Sequence, residues 1–118
     1  MTPKTDITVG GSRRSEVVSA IIDTGFDGYV CLPIQVAEKL GVELTGRTVA
    51  VLADGSEKVE ILFSGWVEFL GKRRTVEICL TTDEALIGTG LLADCDLAID
   101  FVSGTVDVSR KPSKRRKQ

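Results

Sequence analysis

The sequence predicts a mostly β protein, either a small β-barrel or a closed sandwich, with one or two short helices. Three observations carry that prediction. Apolar residues recur with a period of two along most of the chain, which puts one side of each run in a core. Turn-forming residues interrupt the runs at Gly10-Gly11-Ser12, Ala53-Asp54-Gly55-Ser56, Gly71-Lys72 and Ser103-Gly104. One stretch alone carries clear helix signals, so helix is a minor component.

Taken in order, Asp6 to Val9 is a short alternating strand, followed by a polar turn over Gly10 to Arg14. Glu16 to Ile22 is rich in β-branched residues and apolar on both faces near its end, which places Ala20-Ile21-Ile22 deep in the core. Pro33 to Gly41 is the helix. Proline sits in the first turn, apolar residues fall at 33, 36, 37 and 40, and Gly41 stops it. Strands resume at Arg47 to Leu52 and Glu57 to Leu62, joined by Asp54-Gly55, a strong hairpin signal. Gly65 to Phe69 and Arg74 to Leu80 form the next hairpin. Asp83 to Leu92 reads as a loop entering a short helix, and Leu97 to Phe101 turns back into Thr105 to Val108. The expected count is seven or eight strands.

At 118 residues the chain fits one domain of ~100–150 residues. An apolar fraction of 42% argues against wholesale disorder. There is no histidine, which removes Ser-His-Asp and Cys-His chemistry and histidine-ligated zinc. Six of the 15 bases lie in residues 110–118, and all 17 acids precede them. The expected division is therefore a folded domain over 1–109 with net charge −8, and a basic tail over 110–118 with net charge +6. An acidic body argues against nucleic-acid binding, and the tail alone could touch phosphates. Cys31, Cys79 and Cys95 are widely spaced among apolar residues, as expected of reduced, mostly buried thiols in a cytoplasmic protein. No pair has CxxC spacing, which argues against a metal or redox role. No signal peptide, membrane span, metal or other cofactor is expected.

One stretch looks chemically pointed: Ile21-Ile22-Asp23-Thr24-Gly25-Phe26-Asp27-Gly28. A carboxylate at the end of an apolar strand is costly to bury unless something requires it there. Taken bare, the triplet Asp23-Thr24-Gly25 also fits an Asx-type turn after a core strand. About sixty residues later comes Leu86-Ile87-Gly88 opening a short helix, and the Asp54-Gly55 hairpin lies between the two.

In that order these motifs resemble the retroviral-type aspartic proteases, the single-domain, retropepsin-like branch of clan AA, over about residues 5 to 108. The helix ending in Leu40-Gly41-Val42 and the hairpin turn Leu52-Ala53-Asp54-Gly55 look more like bacterial and archaeal members than viral ones. The resemblance implies a small closed β-barrel and an aspartic endopeptidase. Two aspartates share one proton; one activates water and the other donates to the scissile carbonyl oxygen. With a single Asp-Thr-Gly in the chain, it implies a homodimer with Asp23 from each subunit facing across a twofold axis. Thr24 braces the two loops and Gly25 permits their tight turn. Ala53, Asp54, Gly55 and Ser56 form a flap over an extended, apolar peptide, held by backbone hydrogen bonds. Phe26, Asp27 and Gly28 border the substrate, and Ile87 and Gly88 support the catalytic loop.

The chain departs from the family at three places. Phe26 stands where alanine, serine or threonine is usual, and either crowds the cleft or fills a hydrophobic subsite. Thr89 stands where viral members carry an arginine paired to the residue matching Asp27. The viral dimer-closing terminal strand has no counterpart in the tail. These departures motivate an alternative: a catalytically inactive dimerisation or peptide-binding module on the same fold.

Overall fold

In the computed structural model, which describes residues 2–111, the chain begins with an antiparallel pair, β1 (Lys4–Gly10) and β2 (Ser15–Ile22). Alternation sends Ile7 and Val9 of β1, and Ala20 and Ile22 of β2, into the core. Ile21 is only half-buried, because a strand inside a single sheet cannot turn three consecutive side chains the same way.

A strand not expected from the sequence, β3 (Val30–Pro33), follows the turn that ends β2 and leads directly into α1 (Ile34–Leu40). Its four residues are too few to show a period. Pro33 caps the helix rather than entering its first turn. Ala37 and Leu40 are the buried face, and Gly41 ends the helix with φ 76°, a left-handed conformation that glycine adopts without a Cβ clash.

β4 (Glu43–Val51) and β5 (Glu57–Phe69) form the Asp54-Gly55 hairpin. The two strands expected over 57–62 and 65–69 are one. β5 continues through Ser64-Gly65, where its partners change from β4 to β6 (Lys72–Thr81) and β1. A Cβ on Gly65 would strike the Gly10 carbonyl and the Ile78 side chain, so glycine marks a close crossing here instead of a break. Lys72, expected in the turn, and Arg73 lie in β6, with the Arg73 guanidinium 3.8 Å above the Trp66 ring.

The remaining elements are β7 (Leu86–Ile87), α2 (Thr89–Leu92), β8 (Cys95–Asp100) and β9 (Thr105–Arg110). β7 pairs parallel to β2 and antiparallel to β3, and β3 pairs parallel to β6. Pairings therefore run β1-β2-β7-β3-β6-β5 and return to β1, with β4 attached to the outer part of β5. β8 and β9 form a separate two-stranded sheet. Val30, Leu32, Val67, Phe69, Val76, Ile78, Ile87 and Leu91 fill the interior with the residues already named.

Arg110, expected at the start of the tail, belongs to the folded body. It pairs with Asp94 at 3.1 Å and donates to the carbonyls of Phe69 and Leu70, fastening the β8–β9 ribbon to the β5–β6 turn. The rest of the basic tail, residues 112–118, lies outside the described residues. Phe101, expected at the end of a strand, lies in the turn at the ribbon tip and is 71% exposed. No helix among the described residues is long and apolar enough to cross a membrane.

Candidate active site

Asp23 follows the last residue of β2, and its position is set from both sides. Its backbone N–H donates to the Ile87 carbonyl at 3.0 Å, extending the β2–β7 pairing into the loop. Its Oδ1 accepts the Gly25 N–H at 2.9 Å, and its carbonyl accepts the Phe26 N–H at 3.1 Å. Asp23 is half-buried and Thr24 and Gly25 are exposed, so the turn is presented to solvent. The Asx turn read from the sequence is real, and it is compatible with an accessible carboxyl group.

The Gly88-Thr89-Gly90 segment clamps the far half of this loop. Three consecutive N–H groups donate to it: Gly88 to the Tyr29 carbonyl, Thr89 to Phe26 and Gly90 to Gly28, at 3.1, 2.8 and 3.0 Å. These are the orphan donors at the start of α2, satisfied by loop carbonyls. A Cβ on Gly88 would fall on the carbonyl oxygens of Phe26 and Gly28, and one on Gly90 would meet Gly28 at 2.8 Å. Ile87 and Gly88, expected as supports of the loop, are in contact with it. The bonding of Thr89 and Gly90 carries no local sequence signal, because its acceptors lie some sixty residues earlier in the chain.

Phe26 folds back over Gly28, where an added Cβ would meet the ring, and reaches Gly88. It also lines a cavity of about 390 Å³ between the loop and the β4–β5 hairpin. Asp27, Gly28 and Tyr29 border it from the loop, Thr48 and Glu60 from the hairpin, and Cys79 from β6. Glu60 and Cys79 carried no sequence signal, since only folding brings their strands under the hairpin. A separate cavity of about 310 Å³ beside α1 touches none of residues 23–28.

The hairpin projects beyond the body. From Arg47 and Ile61 to the tip, β4 and β5 pair only with each other. Val49, Val51, Leu52, Val59 and Ile61 are exposed there. Ala53 to Ser56 form its tip, with Gly55 at φ 87°. The Asp54 carboxylate accepts the Ser56 hydroxyl at 2.6 Å and its N–H at 2.9 Å, and these bonds hold the carboxyl below the ordinary carboxylate range.

Cys79 borders the cavity beside Phe26, and Cys31 lies opposite it across the β3–β6 pairing. Cys31 is buried, and its thiol is pushed up by Cys79 beside it and by burial. Cys31 in turn holds the Cys79 thiol below the usual range. Among the described residues no three His, Cys, Asp or Glu side chains gather as a cation site.

No family model and no curated protein matches the sequence. Solved structures do match the fold. The simian foamy virus (mac) protease superposes with a TM-score of 0.56 at 15% identity, covering 76% of this chain and 91% of that one. The EIAV protease complexed with the inhibitor HBY-793 gives 0.57 at 14% identity, covering 80% and 88%. At such identities the likeness concerns architecture: the chain has the mostly β, retropepsin-like fold of retroviral proteases.

Proposed function

We propose that the protein is an aspartic endopeptidase whose catalytic pair is made of Asp23 from each of two identical subunits. The observation that carries this reading is the loop itself. An accessible carboxylate stands at the end of an apolar strand, fixed by the Ile87 carbonyl behind it and by the α2 clamp beside it. One carboxylate takes a proton from water as the other donates to the substrate carbonyl, and the tetrahedral intermediate collapses with the proton passed to the leaving amine. Thr24 braces the two loops across the axis. The substrate is an extended segment laid between the loop and the β4–β5 hairpin, bound through its backbone by strand addition. Phe26, Asp27 and Gly28 form one wall, and residues 53–56 close over it. Helix α1 and the Leu52-Ala53-Asp54-Gly55 turn support a place among bacterial and archaeal members of the group, and the reduced thiols a cytoplasmic setting.

Asp23→Asn tests the reading. Cleavage of a mixed peptide library between about pH 4 and 7 should fall by ~10²–10⁴-fold, the span that one general acid-base group supplies. Unchanged cleavage in the variant removes Asp23 from the chemistry. A wild-type dimer that binds peptides and never cuts them identifies the non-catalytic module.

A further inference from the structure

Cys31 and Cys79 are far apart in sequence, and the fold makes them partners. β3 and β6 pair in parallel with Cys31 opposite Cys79. Val30 and Leu32 on one strand, and Ile78 on the other, point into the core. By alternation the two cysteines project together from the opposite face, the one toward the hairpin. Neighbouring strands lie ~4.8 Å apart, inside the ~4.4–6.8 Å between Cα atoms that a disulfide spans. Cys79 is reached from solvent through the cavity beside Asp27, and through a second one of about 210 Å³ on the far side of Glu60.

We propose that Cys31 and Cys79 form a redox site that hydrogen peroxide converts into a cross-strand disulfide. The division of labour follows from burial. Cys31 is buried and its thiol is pushed up, whereas Cys79 borders both cavities and is held below the usual thiol range by Cys31 beside it, which favours thiolate character at the accessible sulfur. The Cys79 thiolate attacks one peroxide oxygen, the O–O bond breaks, and the departing hydroxide takes a proton to leave as water. Cys79 is then a sulfenic acid. The Cys31 sulfur, losing its proton, attacks the Cys79 sulfur and expels the hydroxyl as a second water, so two thiols and one peroxide give one disulfide and two waters. Cys95 stands outside this chemistry. Burial and the Asp94 carboxylate beside it push its thiol up, at 3.5 Å.

The site stands whether or not the chain cleaves peptides, and its test reads sulfur chemistry alone. The reduced protein is treated with two molar equivalents of hydrogen peroxide per chain, alkylated with iodoacetamide and mapped by mass spectrometry. Free thiols should fall from three to one per chain, with Cys31 and Cys79 in one cross-linked peptide pair that dithiothreitol releases and Cys95 alkylated. In Cys31→Ser no cross-link forms and Cys79 runs on to sulfinic acid. Wild-type protein in which Cys31 and Cys79 are both alkylated after peroxide overturns the proposal. So does wild-type Cys79 reaching sulfinic acid with Cys31 still free.

Discussion

Gly88 shows how much a single missing side chain carries. Its N–H holds the Tyr29 carbonyl, and the space its Cβ would need is occupied by the carbonyls of Phe26 and Gly28. Gly88→Ala must push the loop away from α2. The expected cost is about 1–3 kcal/mol, the range for overpacking a tight site, read as a lower urea midpoint with unchanged slope. Activity should fall more than stability alone explains, because Asp23 hangs from the same loop. Unchanged stability would mean that the loop moves freely and that the clamp does not position it. Thr89 makes the same point: its hydroxyl and its N–H both donate to the Phe26 carbonyl, so side chain and backbone close the clamp together.

At the scale of elements the β4–β5 hairpin is the part with least support. An isolated two-stranded ribbon is marginal in water, and beyond Ile61 this one has no third strand. Its tip is ordered locally, by Gly55 and by the Asp54 carboxylate on Ser56. Because those bonds lower the folded pKa of Asp54, their contribution is complete above the ordinary carboxylate value of 3.8 and is lost as pH falls through the lower folded value. An NMR titration of the Ser56 amide should therefore show a step below pH 3.8, absent in Asp54→Asn. A step at the ordinary value would show that the tip bonds are not formed in solution.

For the whole molecule the decisive fact is that the ring of strands presents one Asp-Thr-Gly loop, and that the proposed chemistry needs two. Oligomerisation can be read through activity. Adding an equal amount of Asp23→Asn chain to wild type and allowing subunits to exchange should reduce cleavage to about half, because random pairing converts half of the wild-type chains into mixed dimers. A monomeric enzyme would keep all of its activity.

Local patterning was enough to read most of this protein. Alternation and Asp-Gly gave the hairpin, the Pro33-to-Gly41 stretch gave the helix, and Asp23-Thr24-Gly25 with Ile87-Gly88 gave the candidate loop and its support. Each depends on residues close together in the chain, where period and turn chemistry act directly. Four features depended on tertiary structure: strand β3, the passage of β5 through Gly65, the anchoring of Arg110, and the meeting of Cys31 with Cys79 under the hairpin. β3 is too short to show a period, and the others are made by segments distant in sequence. Their partners are chosen when the ring of strands closes, and no single stretch of sequence contains that information.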